Sequence, residues 1–356
     1  MAKTLMIMAG GTGGHIFPAL SVADYVRAQG WNVVWLGSRG GMEARLVPAR
    51  GYTMAWMRFS GVRRRGLVPM VLLPLNLLIA FWQSARAIFT HRPDVVLGMG
   101  GYVAFPGGMM ASLFNRPLVI HEQNSIAGLA NRVLAHLADQ VLVAFPGAFG
   151  ERSKAQWTGN PVRADIVGVR PPEERFAARS GALRLLVLGG SQGASALNDV
   201  VPKAVALIPE AARPTVMHQS GTAHLEAVRT NYERAGVRAD TVAFIDDVAA
   251  RYAEADLLIC RAGASTIAEL AVAGVPAVLI PFPYAVDDHQ THNARFLSER
   301  GGAVLIAQST LTPEMLVGLL AQFDREKLLA MAQAARAAGK PEATQEVAQA
   351  CMRLTA

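Results

Sequence analysis

The chain has 356 residues, of which 52% are hydrophobic and 17% charged. That balance excludes a disordered chain and supplies enough apolar material for two buried cores, at ~100–200 residues per domain. Two cysteines exclude a disulfide framework or a cysteine-rich zinc site, and the formal net charge of +7 points to anionic partners, phosphates or acidic lipid heads.

Nucleic acid is not expected as a partner: aromatic residues are only 7%, and no stretch interleaves them with basic residues as a single-strand platform does. Residues 1–10 carry one lysine and run straight into a glycine loop, without the apolar region of a signal peptide. A cytoplasmic location follows as the expectation.

In chain order, 3–8 reads as an apolar strand ending at Gly10-Gly11-Thr12-Gly13-Gly14-His15, and 17–29 as a helix closed by Gly30. Further strands are predicted at 32–36, 94–97, 117–121 and 140–144. Strands alternating with helices predict parallel βαβ units, an α/β fold with helices on both faces of the sheet. The second half starts the pattern again. A strand at 183–188 ends in Gly189-Gly190-Ser191-Gln192-Gly193, followed by strands at 215–219, 241–245, 256–260, 277–280 and 303–306. We read two similar doubly wound domains, 1–160 and 161–340, joined at a Gly/Pro-rich junction spanning 158–163. Helices are predicted at 326–338 and 342–353, the last returning from about 341 to close the first domain.

One segment breaks the pattern. Arg63-Arg64-Arg65 precedes the uncharged run 66–85, which Arg86 ends. Its length admits a membrane span, but Pro69, Pro74, Asn76, Gln83 and Ser84 lie inside it. A core helix and an apolar face resting on an anionic membrane surface are the other two readings.

The glycine loops carry the chemistry. A loop that follows a strand and opens a helix lets backbone N–H groups approach an anion. Gly10–Gly14 makes that offer but misses the dinucleotide fingerprint, because Ile16 stands at the third glycine position. Gly189–Gly193 repeats it, with Ser191 adding a hydroxyl. In the third loop, Arg261-Ala262-Gly263-Ala264-Ser265-Thr266, Glu269 follows Ser265 by four residues, so both can face one ligand and the carboxylate can accept from ribose hydroxyls. The bland alternative has Ser265 capping the helix and Glu269 in its first turn. His289 and His292 make a weak metal pair, His121-Glu122 does not continue into H-E-x-x-H, and D-x-D does not occur.

Taken together, Gly10–His15, Gly100-Gly101-Tyr102, His121-Glu122-Gln123-Asn124, Gly159-Asn160-Pro161-Val162-Arg163, Gly189–Ala194, Arg261–Ala264 with Glu269, and His289-Gln290 with Asn293-Ala294 resemble the MurG family, the cytoplasmic N-acetylglucosamine transferases of peptidoglycan synthesis. The resemblance runs in order along nearly the whole chain. It implies a GT-B fold, two Rossmann-like domains facing a cleft, with an acceptor- and membrane-binding N-terminal domain and a UDP-GlcNAc-binding C-terminal domain. The implied donor is UDP-GlcNAc and the implied acceptor undecaprenyl-linked lipid I, joined with inversion at the MurNAc C4 hydroxyl, without cofactor or metal. It further implies Ser191 on the donor diphosphate, and Ala264, Ser265, Thr266, Ile267, Ala268 and Glu269 along the nucleotide with Glu269 on the ribose. Ile245 would present backbone to the uracil; Asn124, Arg163 and Gln290 would contact the donor sugar and diphosphate. Thr12, Gly13, Gly14 and His15 would sit near the acceptor, with His15 or Glu122 as the base. The enzyme would be peripheral, on the cytoplasmic face of the inner membrane. The competing reading is an NADP-dependent oxidoreductase with Arg39 on the 2′-phosphate.

Overall fold

In the computed structural model the chain divides into two compact units, residues 1–163 with 341–356, and 164–340. The structure describes residues 2–59, 72–150, 153–190 and 194–355. Ser191 and Arg63, Arg64 and Arg65 lie outside the described residues.

Among the described residues the first unit is built on a seven-stranded parallel sheet of order β3-β2-β1-β4-β5-β6-β7. Its strands are β1 Thr4–Met8, β2 Asn32–Ser38, β3 Thr53–Met57, β4 Val95–Gly98, β5 Leu118–Glu122, β6 Gln140–Val143 and β7 Gln156–Trp157. The inner strands are nearly continuous apolar runs, as strands covered on both faces must be: Leu5 to Met8 and Val95 to Leu97 are fully buried. One face is covered by α1, Gly13–Ala28, the other by α3, Leu73–His91, and α4, Ala104–Leu113. Between them in sequence lies the short α2, Glu43–Ala49, and α5, Leu129–Leu134, follows β5. The C-terminal helix Ala343–Arg353 buries Val347, Ala348, Ala350 and Cys351 in the same core as Ile16 and Leu20 of α1. Lys3 donates to the carbonyl of Thr355, tying the two ends of the chain together.

The second unit repeats the plan in a six-stranded parallel sheet of order β10-β9-β8-β11-β12-β13. The strands are β8 Arg184–Leu188, β9 Thr215–Gln219, β10 Ala239–Val242, β11 Leu257–Cys260, β12 Ala277–Leu279 and β13 Ala303–Leu305. In both sheets the order reverses beside the first strand of the unit. The loops leaving β1 and β4, and those leaving β8 and β11, therefore diverge to opposite faces and leave a crevice at the carboxyl ends, where open α/β sheets take their ligands.

Several expected boundaries move. α1 starts at Gly13, not at 17, because the glycines themselves adopt the first helical turn. The strand expected at 241–245 runs over Ala239–Val242, so Ile245 lies past its end, in the loop. Strands β3 and β7 were not anticipated: the first is five residues long between Tyr52 and Arg58, and the second is two residues long.

Part of the uncharged run lies on α3. No helix among the described residues is long and apolar enough to cross a membrane, and residues 66–71 of the run lie outside those described. Helix α3 begins inside the run, with Pro74 in its first turn where the missing N–H costs nothing, and continues past Arg86 to His91. It packs through Ala80, Ser84, Ala87 and Ile88, while Leu75, Leu78, Trp82 and Phe89 face outward, Leu78 at 65% and Trp82 at 61% exposure.

Candidate active site

In the first unit, the site residues gather at the carboxyl ends of β1, β4 and β5. Gly13, Gly14 and His15 form the first turn of α1, with Thr12 at the cap position and no side-chain hydrogen bond closing that end. The His15 and Ile16 N–H groups donate to the Thr12 carbonyl at 3.1 and 3.3 Å, so the turn closes on its own backbone without a capping side chain. The loop is held from behind by a carboxylate that sequence reasoning missed. Glu43 is fully buried and accepts from the Gly11 N–H at 3.1 Å, the Ser38 N–H at 3.0 Å and the Ser38 hydroxyl at 2.9 Å. Tyr102 joins through Ser38 Oγ at 2.7 Å. The one available signal was the pair of small residues, Gly37 and Gly41, that stand against Glu43: a Cβ on Gly41 would lie 2.0 Å from its carboxylate.

His15 is half-buried, its Nδ1 2.9 Å from Gln123 Oε1. Gln123 also reaches His121 through its Nε2, 3.1 Å from both the ring Nδ1 and the carbonyl. The His121 ring in turn lies 2.9 Å from the Gly159 carbonyl. Complete burial holds the His121 pKa down to about 4, so this ring stays neutral at ordinary pH.

Glu122 is brought close to His121 in sequence but serves a different element. Its carboxylate accepts from the Asn124 N–H at 3.0 Å, Asn124 Nδ2 at 3.3 Å, the Gly128 N–H at 3.1 Å and Asn131 Nδ2 at 2.8 Å. Gly128 is the N-cap of α5, so Glu122 satisfies the open end of that helix and is only 3% exposed. The four hydrogen bonds occupy both carboxylate oxygens with Asn124, Gly128 and Asn131. Asn124 is anchored through the same group. Arg163 belongs to the first unit, its guanidinium 5.9 Å from the ring centroid of Phe17 in α1.

In the second unit, Ala264, Ser265, Thr266, Ile267, Ala268 and Glu269 all lie on the helix Ala264–Ala273, which follows β11. Its N-cap is Gly263, with no side-chain cap and no acidic residue in the first turn. This corrects the bland reading: Ser265 is the second helical residue, and Glu269 stands in the second turn. Glu269 is half-buried and accepts from the Tyr252 hydroxyl at 3.0 Å. Tyr252 was not singled out from sequence; it lies on the helix Val248–Glu254 and is 1% exposed, a rigid post that fixes the carboxylate's direction. Arg175, also missed, clamps the far end of the helix Ala264–Ala273 by donating to the carbonyls of Ala273 and Gly274, and to that of Tyr252. A cation on last-turn carbonyls is favourable both as a cap and for the helix dipole.

Ile245 is buried, and its N–H donates to Gln219 Oε1 at 3.2 Å. That leaves its carbonyl as the backbone group with capacity for a base edge. Gln290 lies in the first turn of the helix His289–Ser298, its Oε1 accepting from the Phe282 N–H at 2.9 Å. An amide oriented in this way meets a ligand through its NH₂. His289 and His292 share that helix, but among the described residues no group of three or more His, Cys, Asp or Glu is arranged to hold a metal ion.

Both halves of the chain match one enzyme class. Residues 5–143 match the glycosyltransferase family 28 N-terminal domain and residues 184–348 its C-terminal domain. The UDP-N-acetylglucosamine–N-acetylmuramyl-(pentapeptide) pyrophosphoryl-undecaprenol N-acetylglucosamine transferase of Nitrosospira multiformis is 58% identical over 356 residues, covering 100% of both chains. A protein of the same name from Cupriavidus metallidurans is 59% identical over 353 residues, 99% of this chain and 98% of the relative. The crystal structure of Acinetobacter baumannii MurG superposes with a TM-score of 0.86 at 39% identity, over 99% of each chain. The chain belongs to the MurG family of glycosyltransferases. Its two parallel-sheet α/β units are the two domains of the GT-B fold. Membership in the MurG family leaves the oxidoreductase reading without support, and Arg39, its supposed 2′-phosphate ligand, is stacked instead on Trp56, 5.2 Å from the ring centroid.

The buried histidines set a pH limit on the fold. His121 in the first unit and His218 in the second both have pKa values lowered by burial to about 4, below the ordinary ~6.5 of the unfolded chain. Between those values the unfolded chain binds protons that the native protein does not, so stability rises with pH across that window and is lost as pH falls through it. Urea melts should show a decline from about pH 6.5 to about pH 4, at up to about 1.4 kcal/mol per pH unit for each histidine. A flat profile there would mean that both rings protonate in the folded state; half the slope would mean that one does.

Proposed function

We propose that this protein transfers GlcNAc from UDP-GlcNAc to the C4 hydroxyl of MurNAc in undecaprenyl-diphosphate-MurNAc-pentapeptide, converting lipid I to lipid II in peptidoglycan synthesis. The full-length identity of 58% to a transferase named for that reaction carries the reading. The geometry supports it from both sides. The second unit offers an uncapped helix N-terminus and a fixed carboxylate in the second turn, suited to a nucleoside diphosphate. The first offers an uncapped helix N-terminus with a histidine in its first turn, suited to an acceptor that carries both a diphosphate and a hydroxyl to be deprotonated.

The reaction is a single in-line displacement that inverts the anomeric carbon. The acceptor C4 oxygen forms the new bond as the bond to the UDP oxygen breaks, and the hydroxyl proton passes to His15. Charge develops on the departing diphosphate. Backbone N–H groups at the Ala264–Ala273 helix start, the Ser191 hydroxyl and Arg163 stabilise it, and fixed dipoles of this kind act without reorganisation. Glu269 accepts the ribose hydroxyls, the Ile245 carbonyl accepts from the uracil, and Gln290 and Asn124 donate to the sugar. Thr12, Gly13 and Gly14 hold the acceptor side. No cofactor or metal takes part.

We also propose that the protein works on the cytoplasmic face of the inner membrane, held peripherally by α3. Its outward Leu75, Leu78 and Trp82 would enter the headgroup boundary while the arginines at 63–65 meet anionic lipid.

Two measurements check these readings. The first is donor binding and transfer. Calorimetry should show binding of UDP-GlcNAc and none of NADPH, and lipid II should form from lipid I in excess EDTA. Glu269→Ala should weaken donor binding by about 1.5–3 kcal/mol, the usual worth of hydrogen bonds to a charged group. A 2′,3′-dideoxyribose donor should lose little more in that variant; losses that simply add would remove the ribose contact. The second is vesicle binding. Replacing Arg63, Arg64 and Arg65 with Gln should weaken binding to anionic vesicles by about 1 kcal/mol per arginine, with UDP-GlcNAc affinity unchanged. Equal binding to neutral vesicles at any salt concentration would remove the electrostatic part.

A further inference from the structure

Three polar groups behind His15, the Gln123 amide, the His121 ring and the Gly159 carbonyl, form a hydrogen-bonded line whose directions can be read from chemistry alone. At its far end is the Gly159 carbonyl, which only accepts. His121 Nε2, 2.9 Å away, must therefore carry the ring proton. A neutral ring so protonated leaves Nδ1 as an acceptor. Gln123 has one terminal atom 3.1 Å from that Nδ1 and 3.1 Å from the His121 carbonyl. Two acceptors at one atom identify it as the NH₂ group, so the amide cannot be turned over. Gln123 Oε1 is then the atom facing His15 Nδ1 at 2.9 Å. An amide oxygen only accepts, and His15 Nδ1 must donate.

We infer that His121 and Gln123 are positioning residues that set the tautomer of His15, holding the proton on Nδ1 and leaving Nε2 with an open lone pair. This deepens, and rests on, the reading of His15 as the base of transfer. In water the histidine ring favours the opposite form, with the proton on Nε2, in which the outward nitrogen could not accept a proton. Hydrogen bonding at the other nitrogen is what selects between the two forms. Serine hydrolases solve the same problem with a carboxylate; here an amide does it, adding no charge beside the site. The depressed pKa of His121 fits the assignment, because a protonated ring would present N–H at Nδ1 and turn the Gln123 amide around.

Two further observations show that the line is built into the fold. Gln123 and His121 are 1% and 0% exposed, so water does not compete for their hydrogen bonds. Gly100, in the loop after β4, stands directly against the contact. A Cβ there would lie 2.7 Å from His15 Nδ1 and 3.1 Å from Gln123 Oε1, and its φ of +87° is one that favours glycine. The loop leaving the strand at the reversal point is thus shaped to let the two side chains meet.

The test uses the full-length enzyme with ¹⁵N-labelled histidine rings. Two-bond proton–nitrogen correlation at neutral pH gives the tautomer of each ring, with His15 assigned by its loss in His15→Ala. The expected result is His15 with its proton on Nδ1 and His121 with its proton on Nε2. A His15 ring protonated on Nε2 would overturn the inference without any variant having to fold. In Gln123→Met, which keeps the shape but not the polarity, His15 should shift toward the Nε2–H form. The kcat should fall by at least about tenfold, a part of the usual worth of a positioned base, with KM for UDP-GlcNAc changed less than about twofold. A kcat within twofold of the unsubstituted enzyme would overturn the inference even if His15→Ala is inactive. An active His15→Ala would instead remove the base reading, and the tautomer measured in the unsubstituted protein would still decide the line itself.

Discussion

Everything functional in this molecule depends on the reversal of strand order beside the first strand of each unit. A parallel strand must be followed by a crossover, and where successive crossovers go to opposite faces the two loops leaving adjacent strands part. In the first unit those are the loops after β1 and β4, in the second those after β8 and β11. Each parting exposes a helix start without a side-chain cap. The positive ends of two helices, set at the carboxyl edge of two sheets, make the chain a binder of phosphorylated ligands before any particular side chain is considered.

Side chains would then convert binding into chemistry, and in both units the residue proposed to touch ligand is held by one that is not. Tyr252 directs Glu269; Gln123 directs His15; Glu43 holds the loop that carries Thr12, Gly13 and Gly14. The backing groups are all but fully buried, which makes their hydrogen bonds costly to leave unmade and so keeps the geometry single-valued. Glu122 shows the same economy in reverse. It sits in the same motif as His121 and Gln123, yet two of its four donors come from Asn124 and two from the start of α5.

Most of the architecture was legible in the chain because parallel strands announce themselves as short apolar runs ending in glycine. The two doubly wound units, the glycine loops and the helix bearing Glu269 follow from that pattern. Strand β3 did not, since its apolar run is only Met54–Met57 and ends at Arg58 rather than at glycine, and Ile245 fell outside its expected strand because propensity cannot place a strand end to within three residues. The backing residues were the least visible. Tyr252 and Glu43 are far in sequence from what they support, and nothing about a lone tyrosine or glutamate signals a partner across the fold. The uncharged run at 66–85 was legible as unusual but not as to which use; α3 divides into a packed stripe and an outward apolar one, and the outward stripe motivates the proposed membrane face.

The central proposal is that His15 takes the acceptor's proton. Transfer by His15→Ala, measured with saturating UDP-GlcNAc and lipid I alongside calorimetric binding of UDP-GlcNAc, tests it most directly. The account predicts a loss in kcat of about 10²–10⁴-fold with donor affinity unchanged. A loss of less than about tenfold, or a donor affinity that falls in step with the rate, would contradict it.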